Sequence, residues 1–197
     1  MLKIGITGGI GSGKTTVCKI FEVLDIPVYY ADQRARDIVD TDTEIKERIK
    51  DLLGDQMYLP NGKLDRKKVA HIVFNFPELL EQYNAIIHPA VFADAERWML
   101  RHKNYDYVIK EAALLFETGS NKTLDMVICV SAPKEVKIAR IMNRDHITRE
   151  QVLARMENQM DDTQKEALSD YIIYNDGSTP LIRQVLQIHE KLMAVVK

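Results

Sequence analysis

The sequence predicts an α/β fold: a doubly wound parallel sheet of about five strands, with a helical substrate-binding insertion and a small helical lid. Three observations carry this prediction. Short apolar runs recur along the chain, separated by stretches with helical spacing. The first run passes through a glycine-rich turn into a helical pattern, and a second run follows soon after. That is the order of a parallel βαβ unit with a right-handed crossover. Between residues 33 and 104 strand character nearly vanishes, too long a stretch for a plain connection.

Each element has its own local reason. Residues 2–7, Leu-Lys-Ile-Gly-Ile-Thr, are apolar on both faces, as a central parallel strand requires. A helix is expected at 14–24, and Pro27 introduces the strand Val28-Tyr29-Tyr30. Further strands are expected at Tyr107-Val108-Ile109, running towards Leu114-Leu115-Phe116, and at Met126–Val130. A last one, Tyr171–Tyr174, precedes the turn Asn175-Asp176-Gly177 and a closing helix at 178–194. In the insertion, Ile45, Ile49, Leu52 and Leu53 lie at helical spacing, as do Val69, Ile72 and Val73, then Leu79, Leu80, Tyr83, Ile86 and Ile87. Asp65 is placed to cap one of these helices and Pro77 to open another. His88 precedes Pro89, which predicts extended backbone at a helix break and a partly buried ring. The chain therefore reads as one domain: a nucleotide-binding core of residues 1–32, 105–139 and 168–197, the insertion at 33–104 and the lid at 140–167.

Composition narrows the partners. The chain has 197 residues, 46% of them apolar and 28% charged, and a net charge of −2. No global positive field favours nucleic acid. No apolar run reaches the length of a membrane span, and Lys3 and the glycines interrupt the N-terminal one. Cys18 and Cys129 sit far apart inside apolar runs, as buried thiols of a reducing compartment do, so a cytoplasmic location is expected.

Residues 8–15 read Gly-Gly-Ile-Gly-Ser-Gly-Lys-Thr, the pattern of a phosphate-cradling loop between a strand and a helix. Five of the nine glycines fall within the first thirteen residues. Glycines allow successive N–H groups to turn towards one anion, and the helix that follows adds its positive end. Gly9, Gly11, Ser12, Gly13, Lys14, Thr15 and Thr16 are therefore the expected ATP-binding residues. Lys14 brings charge to the outer phosphates and the Thr15 hydroxyl is a ligand for Mg²⁺.

A phosphate loop leaves the acceptor open. A GTPase needs Asn-Lys-x-Asp after a strand; Asn121-Lys122-Thr123-Leu124-Asp125 has its acid one position late and precedes a strand. Asp51-Leu52-Leu53-Gly54 matches a switch pattern only in letters. An ATPase motor wants an apolar strand ending in acid, and Lys110 intrudes in Tyr107–Glu111. A kinase needs a carboxylate near the sheet end to accept a proton, and Asp32 follows the second strand. On local grounds Asp32 serves equally well as the N-cap of a helix starting at Gln33. Arg140 and Arg144, four residues apart in the basic segment 134–155, would close over the transferring phosphate; alternatively they form a solvated helix face. Lys63, Arg66, Lys67 and Lys68 read as solvated surface.

Taken in series, these positions resemble the dephospho-coenzyme A kinase family. The carrying motifs are Ile4–Lys14, Ala31-Asp32-Gln33-Arg34-Ala35-Arg36, Gly62–Arg66 with Val73-Phe74, Asn84–Val91 with its Ile-Ile-His-Pro, Leu114-Leu115-Phe116-Glu117 and Arg140–Asp145. The resemblance implies transfer of the ATP γ-phosphate to the ribose 3′-hydroxyl of dephospho-coenzyme A, with Mg²⁺. It implies that the insertion binds coenzyme A and that Arg140 and Arg144 belong to the lid. Asp32, Lys14 and Arg140 would be catalytic, Asp32, Arg36 and His88 would face the acceptor, and Arg144 and Asn175 would bind ATP. Three departures touch pocket shape only. Tyr29-Tyr30 stand before Ala31-Asp32, Ala112-Ala113 replace a Val-Pro, and Tyr83-Asn84 replace a Leu-Asn. Glu111 and Glu117 are left as further candidates for holding the metal.

Overall fold

A computed structural model describes residues 1–196; Lys197 and the side chain of the motif residue Phe74 lie outside the described residues. Five strands form one sheet: β1 (Leu2–Thr7), β2 (Val28–Tyr30), β3 (Tyr107–Glu111), β4 (Met126–Ser131) and β5 (Tyr171–Tyr174). Their order is β2-β3-β1-β4-β5 and every pairing is parallel. Register aligns the carboxyl ends: Ile6 and Tyr30 both pair with Glu111, Thr7 with Cys129 and Ser131 with Tyr174. β1 is thus the central strand, and the loop after it opens where neighbouring connections diverge to either side, the place where such sheets bind ligands.

By its internal contacts the chain divides into two compact units, residues 31–101 and the remainder. The sheet unit carries α1 (Lys14–Val23), α6 (Lys134–Asp145), α7 (Arg149–Glu157), α8 (Asp162–Ala167) and α9 (Leu181–Val196); the helical unit contains α2 (Ala31–Thr41), α3 (Thr43–Leu53), α4 (Arg66–Asn75) and α5 (Pro77–Arg101). The sheet unit's core joins Ile4, Ile6, Ile109, Ile128 and Val130 from the strands with Val17, Phe21, Val185, Ile188 and Leu192 from α1 and α9. Phe21 meets Tyr107 edge-on, ring centroids 6.4 Å apart. Tyr107 in turn shares a 2.6 Å hydrogen bond between its hydroxyl and His189 Nδ1, so its buried polar end is satisfied.

The helical unit packs Ile38, Val39, Ile45, Ile49, Leu53, Met57, Val69, Val73, Ile86 and Ile87 into a separate core. Asp42 accepts from the Ile45 amide and Asp65 from the Lys68 amide, both at 3.1 Å, so α3 and α4 each start on a carboxylate cap. Asp94, only 9% exposed, receives two 2.9 Å hydrogen bonds from the Arg34 guanidinium, which pins α2 to α5.

Four local expectations are corrected. α5 runs unbroken through Pro89, so His88 is helical and exposed rather than extended at a break. Proline removes one donor and crowds one carbonyl, and the buried Ile86 and Ile87 before it and Asp94, Ala95 and Met99 after it hold the helix on both sides. Asp32 does not precede its helix as an N-cap: α2 begins at Ala31, leaving Asp32 in the first turn beside the positive end of the helix. β3 stops at Glu111, and residues 113–119 form turns instead of extending the strand to Leu114–Phe116. The closing helix starts at Leu181, after Pro180, because Asp176 ties the preceding segment into a turn by accepting the Ser178 amide at 2.8 Å.

Candidate active site

The phosphate loop is a main-chain construction. Gly8, Gly11 and Gly13 have φ of 141°, 80° and 101°, values closed to side-chain-bearing residues without strain. At Gly9 the packing is close for a different reason: an added Cβ would lie 2.6 Å from Asp162 Oδ1 and 3.0 Å from Lys137 Nζ, so that ion pair would have to shift. Ser12 N–H donates to Gly9 O at 3.1 Å, closing the loop on itself. Gly13 leads into α1, and the Thr16 and Val17 amides return to its carbonyl at 3.0 and 3.2 Å. Lys14 lays its ammonium along the loop, 3.0 Å from Gly8 O and 3.4 Å from Gly9 O. Thr15 and Thr16 are exposed at the start of α1.

Two predicted residues join the loop from far along the chain. Arg140 on α6 donates to the carbonyls of Gly11 and Ser12, both at 3.4 Å, and to Asn175 O and Oδ1 at 3.1 and 3.2 Å. Asn175, just past β5, donates from Nδ2 to Ser12 O at 2.7 Å while its own amide holds Ser131 O at 2.7 Å. A guanidinium and a carboxamide therefore grip the loop carbonyls of Gly11 and Ser12. Arg144 lies elsewhere: it pairs with Asp145 at 2.7 Å, its side chain 62% exposed. Arg155 completes that cluster on Asp145, and Arg149 pairs with Glu135.

The two candidate acids differ. Glu111 is buried at the end of β3, beside the strand that feeds the loop. Its charge, after burial itself, helps push the Cys18 thiol far above its ordinary range. Glu117 instead accepts from Lys165 Nζ at 2.9 Å and from the Met160 amide at 2.8 Å. Burial alone would raise its pKa, but those two bonds outweigh it and hold the carboxyl below the usual range. Glu117 is thus occupied in a structural pair, while Glu111 stands buried at the end of its strand.

In the helical unit, Asp32 and Arg36 are exposed on α2, four residues apart and so on one face. His88 is exposed on α5, and partial desolvation of its ring pushes its pKa down, favouring the neutral imidazole near pH 7. Arg66, read from sequence as solvated surface, has structural duty: it bonds Asp40 Oδ2 at 2.6 Å and the Arg36 carbonyl at 3.1 Å, fixing the turn of α2 that bears Arg36. Sequence reasoning also missed Lys137, Gln159, Asp162 and Lys165 around the loop. Their partners lie 25 to 149 residues away, a separation no local pattern carries.

A lysine-bearing glycine loop between the central strand of a parallel sheet and its helix, with an arginine bound across it, defines a P-loop phosphotransferase. Residues 2–180 match the model of the family described as dephospho-CoA kinase. A dephospho-CoA kinase of Bacteroides fragilis is 37% identical over 187 residues, covering 95% of this chain and 91% of its own. One of Leptospira interrogans is 39% identical over 181 residues, covering 92% and 87%. The crystal structure of a Thermus thermophilus protein superposes with a TM-score of 0.87 at 33% identity over 96% of each chain. That of a dephospho-CoA kinase from Campylobacter jejuni does so with 0.74 at 27% identity over 99% and 98%. The chain belongs to the dephospho-CoA kinase family.

Proposed function

We propose that this protein transfers the γ-phosphoryl group of ATP to the ribose 3′-hydroxyl of dephospho-coenzyme A, working in the cytoplasm at the last step of coenzyme A synthesis. The observation that carries the reading is the phosphate loop, held open by Arg140 and Asn175, in a chain of this family. Among the described residues no helix is long and apolar enough to cross a membrane.

Phosphoryl transfer needs position and charge more than covalent chemistry. The amides of Gly11, Gly13, Lys14 and Thr15 would bind the phosphates, with Ser12 and Thr16 offering their hydroxyls, and the Lys14 ammonium would leave the loop carbonyls for the outer phosphate oxygens. Arg140 already has its guanidinium at the loop, where it would offset charge building on the equatorial oxygens. Arg144 would turn from Asp145 to join it, and Asn175 would lie near the adenine. Asp32 would receive the proton of the 3′-hydroxyl as the phosphorus–oxygen bond forms, a role worth about 10²–10⁴-fold. Arg36 and His88 would orient the acceptor, the arginine through its anionic groups and the imidazole through a neutral hydrogen bond.

Mg²⁺ fits the donor set. The described residues contain no cluster of three His, Cys, Asp or Glu able to hold a metal, while an exposed threonine hydroxyl stands at the start of α1. That is how proteins take magnesium that arrives on phosphates: one or two protein oxygens, the rest from nucleotide and water. Thr15 would hold it, with Glu111 acting on its water shell. When bound, the ion would supply positive charge to offset that of the phosphates.

The test is ADP release from Mg·ATP across a panel of acceptors. The expected result is turnover that requires dephospho-coenzyme A. Equal release without acceptor would make the protein an ATPase, and turnover on nucleosides or nucleoside monophosphates would make it a nucleoside or nucleotide kinase.

A further inference from the structure

The outer rim of the phosphate loop is held by a side chain that no motif marks. Ile10 N–H donates to Gln159 Oε1 at 2.8 Å, across 149 residues of chain. Ile10 lies between two glycines, whose backbone is the least restricted by side chains, and the Ser12–Gly9 main-chain bond closes the same stretch. The Nε2 group of Gln159 has no protein hydrogen-bond partner among the described residues, and the side chain lines a cavity of about 270 Å³ together with Gly9, Lys137 and Asp162.

The segment bearing Gln159 is itself fastened on both sides. The buried Lys137 ammonium, on the α6 turn before Arg140, is paired with Asp162 directly against Gly9. Burial pulls the Lys137 pKa down, against the opposing pull of the nearby Asp161. The Met160 amide is bound to Glu117, and Lys165 holds both Glu117 and the Ala113 carbonyl. Gln159 therefore presents its carboxamide from a rigid strap, not from a loose loop.

We propose that Gln159 is a nucleotide-positioning residue, which orders the Ile10 rim of the loop before ATP arrives and leaves its own amide group to meet the terminal phosphate. This rests on the reading of the loop as an ATP site. The chemistry selects glutamine: it accepts one N–H without bringing negative charge, and it keeps a donor for an anion. A carboxylate at the same place would keep the Ile10 bond but oppose the γ-phosphate. An apolar isostere would lose both, and the ordering of the rim would then be charged to binding.

The experiment is calorimetric titration of Mg·ATP and Mg·ADP into wild type, Gln159→Met and Gln159→Glu, with thermal unfolding of each. Gln159→Met is expected to weaken ATP binding by about five- to tenfold, the size of one or two hydrogen bonds, with an unchanged unfolding midpoint. Gln159→Glu is expected to weaken ATP more than ADP, because only ATP brings the outer phosphate. The inference is overturned if both variants bind ATP like wild type. It is equally overturned if the midpoint falls and ATP and ADP weaken alike, which would make Gln159 a structural tie only. Acceptor turnover is not read in this experiment. Wild type that binds ATP but ignores dephospho-coenzyme A would therefore sink the proposed reaction and leave the Gln159 result standing.

Discussion

The two units of the molecule build their functional groups in opposite ways. In the sheet unit the groups that would touch phosphate are mainly backbone amides, and side chains such as Arg140, Asn175 and Gln159 act on that backbone. In the helical unit the candidate groups are exposed side chains, Asp32, Arg36 and His88, and the buried machinery beneath them is ordinary helix packing plus the Arg34–Asp94 and Arg66–Asp40 pairs. An amide nest depends on dihedrals, so its glycines cannot be exchanged. A side-chain surface depends on where two helices are pinned, and many sequences can pin them. The phosphate site should therefore be sensitive to small local changes and the acceptor side to changes in packing.

The largest expected effect tests whether the units are separate in stability. Ile49 is fully buried in the helical core, so Ile49→Ala should cost about 3–4 kcal/mol. Val185→Ala in the sheet core supplies the counterpart. Calorimetric unfolding in which Ile49→Ala lowers an early transition and spares a later one would sharpen the comparison. Identical shifts of a single transition by both variants would break it.

Next in size, Asp32→Asn should lower kcat by at least about 10²-fold, roughly 2.7 kcal/mol, while leaving Mg·ATP affinity within about twofold. Single-turnover kinetics with calorimetry decides this, and near-normal kcat would remove Asp32 from the role of base. Arg140→Lys should then cost about tenfold in kcat, roughly 1.4 kcal/mol, because one ammonium cannot bridge Gly11, Ser12 and Asn175 as the guanidinium does. A loss confined to ATP affinity would make Arg140 a ground-state contact.

The smallest effect is a pH dependence. The His88 pKa is lower in the folded protein than in the unfolded chain, so on acidification the unfolded chain takes up this proton first. Stability should therefore decline as pH falls from about 6.5 towards the folded value, and His88→Gln should flatten that decline. Unfolding midpoints at about pH 7.5 and 5.5 measure it, and parallel profiles for the two proteins would remove the effect.

Much of the fold was legible because its signals are local. Both-face apolar runs marked the parallel strands, and helical spacing with Asp65 and Pro77 marked α4 and α5. The misreadings came where a local rule met tertiary packing. Pro89 sits inside α5 because buried residues on both sides outweigh one missing donor. Leu114–Phe116 is apolar without being strand, since Leu115 is fully buried from a turn. Arg140 and Arg144 share a helix and a spacing, yet one binds the loop and the other binds Asp145, a choice set by what each meets in space.

The amino-acid order alone determined the parallel sheet, the glycine-lysine loop and the chemistry it can hold, because consecutive residues create backbone geometry directly. Tertiary structure alone decided which side chains steady that loop. Gln159 on Ile10, Lys137 and Asp162 against Gly9, and Asn175 on Ser12 are unions of residues distant in sequence. Such unions follow from how helices and strands stack, and stacking is a property of the whole buried core, which no short stretch of chain records.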